Sequence, residues 1–278
     1  MPSLKEIKGR IGSVESTLKI TGAMKLVSSA RLRKAQNAIE AMRPYEHELN
    51  AMLAPLWHEM KDSQGHDAPA VIIAVSSNSS LCGAFNNNVI ERLRKTVREN
   101  NPSCIYCIGR KVADAMKKAG RPSPKDLNTL SDHPSYAGAS ALADSLLEDF
   151  NEGRVGKVLL VYNHFVSSAK QEPVVEQLLP VVPLGAAEKA DGIPEDIIME
   201  PSSEELLSEL LPKSVRLKLF AALLDSSAAE HAARTVAMQT ATDNGEDLLR
   251  ELTLQYNKSR QQKITTEILD LAGGQIKE

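Results

Sequence analysis

The first candidate for chemistry in this sequence is a cysteine in the loop between a predicted strand and a predicted helix. Cys82 lies in the segment Ser80-Leu81-Cys82-Gly83-Ala84-Phe85, soon after an apolar run. The N-terminus of a helix favours a thiolate, so a cysteine in such a loop can act as a nucleophile. A nucleophile elbow has glycine two residues before the nucleophile as well as after it, and this sequence has Ser80 at the earlier position. A small buried cysteine at a tight turn is therefore the favoured interpretation, with a hydrolase using Cys82 as the alternative.

Other residue patterns that bind phosphate or metal are weak here. The loop at Cys82 has one glycine, whereas the GxGxxG and GxxxxGK[ST] loops need several. Cys104 and Cys107 have the spacing of a metal-binding pair but fall on a predicted strand, where residues three apart point to opposite faces. The six histidines form no HExxH or other ligand spacing. We therefore expect no cofactor, no metal and no catalytic residue.

Strands and helices alternate in the middle of the chain, where these residues lie. Apolar runs rich in branched residues predict strands at 69–75, 104–108 and 157–162. Helices are predicted at 86–99, 110–119 and 136–150, with a loop at 120–134. This alternation indicates a parallel sheet with helical crossovers. An antiparallel edge strand is predicted at 173–183 and another short strand at 197–199.

The chain begins with the pattern of a long helix. From Leu4, apolar residues recur at alternating steps of three and four, which is the spacing of a coiled-coil seam. Ser3 followed by Glu6 has the spacing of a capping box that starts a helix. We expect Pro44 to kink this helix and Pro55 to mark its end.

The chain also ends with the pattern of a long helix. Residues 214–272 contain no proline and one glycine, Gly245, and apolar residues recur there at helical spacing. Pro212 is expected to lie just before this helix. Such a helix is longer than a compact domain of this size, so it needs a partner outside the domain. The economical solution is antiparallel pairing of the two terminal helices, each covering the other's apolar stripe.

The predicted fold is of the α/β class: two long terminal helices form an antiparallel coiled coil, and a Rossmann-like α/β domain is inserted between them. The expected boundaries are 1–60 for the N-terminal helix, 69–200 for the α/β domain and 203–278 for the C-terminal helix. An odd number of cysteines, three, argues against a secreted disulfide framework. With neither a signal peptide nor an apolar run near 18 residues, we expect a cytoplasmic protein that reaches a membrane only through partners.

Charge is distributed unevenly along the chain. The net charge is −3, which provides no general attraction to nucleic acid or acidic lipid. Residues 1–43, however, hold nine Lys or Arg against three Glu, a net charge of +6. This segment is either the solvated flank of a coiled coil or a basic face opposite an acidic partner. Nucleic acid is not expected, because no aromatic or glycine-rich recognition module accompanies the charges.

Several segments, in order along the chain, resemble the gamma subunit of the rotary proton-translocating ATP synthase. The N-terminal helix carries Lys19-Ile20-Thr21-Gly22-Ala23-Met24-Lys25-Leu26-Val27, and the loop carries Leu81-Cys82-Gly83-Ala84-Phe85-Asn86. The C-terminal helix resembles the same family at 230–234, 237–244, 254–261 and 264–268. The resemblance runs from end to end and includes both terminal helices and the insert.

This resemblance implies a non-catalytic central-stalk rotor. In that family the terminal helices form a bent coiled coil inside a ring of three alpha and three beta subunits. The α/β domain binds the epsilon subunit and the membrane c ring. Proton flow turns the c ring, and the rotor drives each beta subunit through its catalytic conformations. The implied location is the cytoplasmic side of the cell inner membrane, held there by these partners.

The resemblance also implies which residues contact partners. Met24 and Lys25 match the segment that passes the levers of the beta subunits. Positions involved in beta contact or in energy coupling are matched by Arg234, Arg260, Gln261, Thr265 and Asp270. A basic N-terminal helix fits acidic lever loops, with charge guiding the fit more than holding it.

Three features depart from the family pattern. The turn reads Ser77-Asn78-Ser79-Ser80, where an Asp and a Gly are usual. Gly22 stands where the family usually has lysine, which lowers helix propensity by about 1 kcal/mol. The tail from Gly273 onward replaces a small apolar tail. A coiled-coil scaffold or adaptor of a different assembly is the other alternative, beside the hydrolase.

Overall fold

A computed structural model describes residues 3–56, 68–181 and 202–274. The helices are α1 (Leu4–Leu53), α2 (Phe85–Asn100), α3 (Arg110–Lys118), α4 (Asn128–Asp132), α5 (Tyr136–Asn151) and α6 (Ser203–Gly274). The strands are β1 (Ala70–Val75), β2 (Cys104–Ile108), β3 (Lys157–Phe165) and β4 (Gln171–Leu179). The strand predicted at 197–199 lies outside the described residues. Helix α4 falls in the predicted loop at 120–134, where the side chain of Asp126 accepts the backbone N–H of Asn128 and fixes the turn before it.

The four strands form one mixed sheet in the order β2-β1-β3-β4. Strand β1 pairs in parallel with β2 on one side and with β3 on the other. Strand β4 pairs antiparallel with β3 at the edge of the sheet. The parallel sheet with crossovers and the antiparallel edge strand are thereby confirmed.

Helices cover both faces of the sheet, which explains why the strands read as continuous apolar runs. One face packs against α2 and α3 through Ile72, Ala74, Ile105, Cys107, Val89, Leu93, Val112 and Met116. The other face packs against α5 and α6 through Val71, Ile73, Leu160, Leu142, Leu146, Leu219 and Leu223. Cys104 packs with the second of these clusters and Cys107 belongs to the first, as the strand geometry predicted.

The helix ends agree with the sequence at the N-terminus and differ at α6. The hydroxyl of Ser3 accepts the backbone N–H of Glu6 at 3.3 Å, so the predicted cap is confirmed. Helix α1 continues through Pro44 and ends at Leu53, two residues before Pro55. The prediction that Pro212 precedes the C-terminal helix is wrong, because α6 contains it.

Two features explain why α6 begins before Pro212. The hydroxyl of Ser202 accepts the backbone N–H of Glu205, which is the same Ser-x-x-Glu cap as at the N-terminus. Leu207 and Leu210 pack against buried leucines of α1 and so give the first turns of α6 an apolar contact. These contributions offset the backbone hydrogen bond that proline cannot make.

The chain divides into two compact units, Ser29–Arg234 and Met1–Ser28 with Thr235–Glu278. In the second unit α1 and α6 run antiparallel. A Cβ on Gly245 would meet the side chain of Leu18, and Thr21 shares a hydrogen bond with Thr242. As the residue number rises in α1, that of its partner falls in α6, so antiparallel pairing is confirmed. The predicted domain boundaries at 1–60, 69–200 and 203–278 follow the elements instead of these units and stay a prediction.

No helix among residues 3–56, 68–181 and 202–274 combines the length and apolarity needed to cross a membrane.

Candidate functional site

The loop after β1 is held in one conformation by its own polar side chains. The Asn86 carboxamide oxygen accepts both the backbone N–H and the hydroxyl of Ser77, at 3.1 and 3.0 Å. The buried Asn163 side chain at the end of β3 donates to the carbonyl oxygen of Phe85 at 2.9 Å. The loop that contains Cys82 is therefore fastened to the carboxyl ends of both β1 and β3.

The end of β2 approaches this loop so closely that only glycine fits. Gly109 has φ +103°, and a Cβ there would lie 2.1 Å from the carbonyl oxygen of Ser76. That carbonyl accepts the hydroxyl of Ser131 at 2.7 Å, and the hydroxyl of Ser76 accepts the backbone N–H of Val112. These contacts leave the carboxyl edge of the sheet little freedom to move.

Cys82 is buried, and burial disfavours its thiolate. Its exposed fraction is 1%, and it packs with Phe85, Ala229 and Ala233. Burial raises the pKa of the thiol above its ordinary value, and the hydrogen bond from Ser77 and the charge of Arg234 only partly oppose this. A nucleophile needs the thiolate, so the structural interpretation of Cys82 is favoured over the hydrolase.

A buried ion pair on α6 faces the same loop. The Arg234 guanidinium donates to the Glu230 carboxylate at 2.5 Å, and the two side chains are only 8% and 7% exposed. The other guanidinium nitrogen donates to the Ser79 hydroxyl at 2.8 Å and to the Ser80 carbonyl oxygen at 3.4 Å. Arg234 therefore joins helix α6 to the loop that follows β1.

The pKa values around this pair follow from its burial. Desolvation raises the pKa of the Glu230 carboxyl, while the neighbouring Arg234 opposes the shift. Desolvation, with the positive charges of Arg234 and Arg31, lowers the pKa of His231 to about 4. His231 is therefore neutral at neutral pH and adds no further charge to the cluster.

A second polar attachment of α6 lies at the end of β3. The Asp225 carboxylate accepts the backbone N–H of Phe165 at 3.1 Å, and its other oxygen lies 2.5 Å from Nδ1 of His164. Two further bonds connect the same helix to α5 and β4: Arg216 donates to Asp144, and Lys218 donates to the carbonyl oxygen of Gln177. The first half of α6 is thus tied to four different elements of the α/β fold.

A cavity of about 420 Å³ lies between α1, α6 and the β3–β4 edge. Four of its polar side chains pair with each other: the Tyr162 hydroxyl donates to Glu176, and His164 pairs with Asp225. Since these groups bond to each other, they point to no particular ligand. In the described part of the chain, no cluster of three or more His, Cys, Asp or Glu could hold a metal ion.

Sequence reasoning missed Asp225 and Glu230, although one signal was present. Glu230 and Arg234 are separated by four residues, the spacing of neighbours on one helix face, and they interrupt a stretch rich in alanine. A charged pair within an apolar stripe indicates burial with internal compensation.

Of the predicted contact residues, Met24 and Lys25 lie in the paired part of the terminal helices. Both are half-buried, and Lys25 donates to the side-chain oxygen of Gln239 at 2.7 Å. Contact of these two residues with a partner stays a prediction.

The remaining contact candidates, except Arg234, lie near the end of α6. These exposed side chains are Arg260, Gln261, Thr265 and Asp270. Apolar side chains are exposed beside them: Ile264 is 47% exposed, Ile268 60% and Leu271 74%. The expectation that helix pairing covers the whole apolar stripe is wrong for these three residues. Helix α1 begins at Leu4, and in the same antiparallel register none of its residues lies opposite this last part of α6.

The chain matches a known family over nearly its whole length. The family described as ATP synthase matches residues 3–275. The ATP synthase gamma chain of Bacteroides fragilis (strain ATCC 25285) is 48% identical over 290 residues, covering 99% of this chain and 100% of the relative. The protein of the same name from Flavobacterium johnsoniae is 41% identical over 283 residues, covering 99% and 98%.

Two solved structures have the same fold. A chain of the Euglena gracilis mitochondrial ATP synthase (OSCP/F1/c-ring, rotational state 3) gives a TM-score of 0.66 at 20% identity, covering 98% of this chain and 93% of that one. A chain of the Tetrahymena thermophila mitochondrial ATP synthase (central stalk/c-ring) gives a TM-score of 0.58 at 21% identity, covering 80% and 99%. At these identities the likeness establishes the fold alone.

Proposed function

This chain belongs to the gamma-chain family of ATP synthase, and from that premise we propose that it is the rotor of the enzyme's central stalk. In this role it couples proton flow through a membrane c ring to the conformational cycle of the catalytic beta subunits. The gamma chain is a non-catalytic subunit of the complex. The buried thiol of Cys82 agrees with this, because that cysteine was the strongest candidate nucleophile in the sequence.

We propose the family's assembly for this chain. Its partners are the ring of alpha and beta subunits, the epsilon subunit and the c ring, and they hold it on the cytoplasmic side of the cell inner membrane. Support comes from relatives named ATP synthase gamma chain at 41–48% identity over nearly the whole chain.

The observation that carries the proposal is the uncovered end of α6. From Ile264 to Leu271 the helix exposes four large apolar side chains among polar ones. A helix with such residues on its surface needs a protein partner to cover them. The interior of a ring of subunits provides that cover while allowing contacts to change as the helix turns.

Within this surface we propose Arg260, Gln261, Thr265 and Asp270 as contacts to the beta subunits, with Met24 and Lys25 as contacts from α1. All four α6 residues are exposed. Exposed pairs contribute up to about 1 kcal/mol each, which suits a rotor that must not be held in any one orientation. For Arg234, which is buried, energy coupling is the proposed role.

Expression of the tagged full-length chain in its own cell, followed by purification, tests the assembly. The alpha and beta subunits should be recovered with it, and the complex should pump protons when given ATP. Recovery of neither subunit would contradict the rotor and favour a scaffold of a different assembly.

Substitution of Arg260 and Gln261 by Ala tests the contact surface. The purified complex should pump fewer protons per ATP hydrolysed, while the subunit composition stays unchanged. Gln255→Ala is the matched control, because residue 255 is exposed and lies about 140° from residue 260 and about 120° from residue 261 around the helix. Equal pumping by the double variant and by wild type would remove these two residues from the contact surface.

A further inference from the structure

The α/β fold of this chain contains the crevice where sheets of this type bind ligands. Ligands of open α/β sheets lie at the carboxyl ends of the strands, where the strand order changes direction. Here that point is between β1 and β3, because β1 has β2 on one side and β3 on the other. In this chain helix α6 lies across that place.

We propose that a rigid joint lies at this crevice. In this joint Asp225 and Arg234 hold helix α6 in a fixed position on the sheet and transmit torque between the helix and the sheet. The proposal rests on the rotor function argued above. It assigns Arg234 to a joint inside the chain instead of a surface for a partner. It also gives the loop containing Cys82 a purpose other than catalysis.

The apolar part of the joint is built from small side chains on the helix. Ala229 is fully buried and Ala233 is 9% exposed, and both pack with Cys82 and Phe85. Alanine at these positions lets the helix approach the loop closely. The loop itself is fixed by Asn86 and Asn163, so the helix packs on a surface that is already rigid.

The polar part of the joint attaches the helix on two sides. Nine residues separate Asp225 from Arg234, which is about two and a half helical turns, so the two side chains leave α6 in opposite directions. Ala229 and Ala233 face between them. Asp225 bonds to the end of β3, and Arg234 bonds to the loop after β1. If the helix turns about its own axis in one direction, one of these two attachments resists the rotation. If it turns in the opposite direction, the second attachment resists.

A joint of this kind must resist rotation in both senses, because a rotor turns one way during ATP synthesis and the other way during hydrolysis. The packing of Ala229 and Ala233 against the loop does not provide this by itself, since small side chains set the distance of approach but give little resistance to turning. The same helix continues to Gly274, beyond the attachments. Torque that enters at the sheet thus passes into the rest of α6 through Asp225 and Arg234.

The experiment compares variants in the whole ATP synthase, purified and reconstituted in vesicles. Ser79→Ala removes one acceptor of Arg234 but leaves the buried ion pair in place, so it is the variant least harmful to folding. Asp225→Asn weakens the other attachment. Loss of a hydrogen bond to a charged group shifts an attachment towards its open form by about tenfold. Both variants should keep ATP hydrolysis and lose proton pumping per ATP, most strongly against an existing proton gradient.

A covalent bond provides the readout that a purely structural role does not affect. In two separate variants Ala229 or Ala233 is replaced by Cys. The new thiol and the Cys82 thiol then form a disulfide, and a diazene oxidant such as diamide takes up the two electrons and two protons that they lose. In a rigid joint the cross-linked enzyme should turn over as before, and the cross-link should restore pumping to the Ser79→Ala variant. The matched control is Lys95→Ala, an exposed residue in an ion pair of α2.

The outcomes separate this proposal from the one on which it rests. A cross-link that stops turnover would show that the joint must move. Unchanged pumping by both Ser79→Ala and Asp225→Asn would show that the two attachments are ordinary packing contacts. Either result overturns the joint while wild-type enzyme still pumps. Failure of the wild-type chain to support pumping overturns the rotor function, and the torque role with it.

Discussion

Removing one member of the buried pair is expected to destabilise the chain by an amount that depends on which member is removed. In Glu230→Gln, Arg234 stays buried and charged, because a guanidinium does not lose its proton in a protein. Both side chains are less than 10% exposed, so solvent screens the remaining charge little. Breaking such a pair costs about 3–5 kcal/mol. We expect the lower end of this range, since Ser79 and Ser80 still accept from Arg234.

In Arg234→Met the remaining carboxyl can neutralise itself, so the cost depends on pH. Burial already raises the pKa of Glu230 above its ordinary 4.5, and loss of the opposing Arg234 raises it further. Well below pH 4.5 the carboxyl is neutral in both the folded and the unfolded chain, and the burial penalty is absent. Between pH 4.5 and the higher pKa of Glu230 in the folded variant, this carboxyl ionises in the unfolded chain but stays neutral in the folded chain. The free energy of unfolding of the variant therefore falls as the pH rises. Arg234 also lowers the pKa of His231, so without Arg234 the folded chain protonates His231 more easily. This too makes Arg234→Met less destabilising at low pH.

The assay is urea unfolding of the full-length chain at pH 5 and pH 8. Arg234→Met should destabilise less at pH 5 than at pH 8. The cost of Glu230→Gln should instead be smaller at pH 8, because the raised pKa of Glu230 lowers the stability of the wild-type chain as the pH rises. The double variant should cost less than Glu230→Gln alone, because it removes the uncompensated charge. Lys95→Met, in an exposed ion pair, is the control and should change stability by less than about 1 kcal/mol. A cost of Arg234→Met that is larger at pH 5 would refute the reasoning.

Glycine substitutions test the close approaches in both units. Gly109→Ala should cost at least about 3 kcal/mol, from the positive φ and from overlap with the Ser76 carbonyl, whereas Gly120→Ala, with φ +75° and open space, should cost only about 1 kcal/mol. Equal melting temperatures of these two variants would contradict the overlap. Gly22→Ala should stabilise α1 by about 1 kcal/mol, because nothing lies within 4 Å of the added Cβ. Gly245→Ala should gain less, since its Cβ would meet the Leu18 side chain at 2.7 Å, and calorimetry of the full-length chain compares the two.

The sheet could be predicted from the sequence because its strands are buried on both faces. A run such as residues 70–75 has few interpretations other than a central strand, and the helices between such runs fix the parallel order. The opposite orientation of Cys104 and Cys107 followed from the two-residue period of a strand alone. The cap of α6 at Ser202 and Glu205 was missed in the sequence, where Pro212 was expected to lie just before the helix.

The attachments of α6 were not predictable, because their partners are distant in the chain. Asp225 bonds to a backbone group 60 residues away, and Arg234 to a hydroxyl 155 residues away. Helical periodicity identifies which residues share a face of α6, but it does not identify what that face meets. The resemblance placed Arg234 among contact or coupling positions, and only its burial points to a role inside the chain.

The buried pair adds something to the joint that the alanines around it cannot. A helix packed through Ala229 and Ala233 alone would keep nearly the same contacts after a small slide or turn, because methyl groups are alike in every direction. An ion pair with two further acceptors at Ser79 and Ser80 is satisfied in one position only, and a shift away from it weakens the pairing of a buried charge. The pair costs free energy through desolvation, but it allows only one position of the helix on the sheet. For a rotor, this fixed position matters more than the contribution of the pair to the free energy of unfolding.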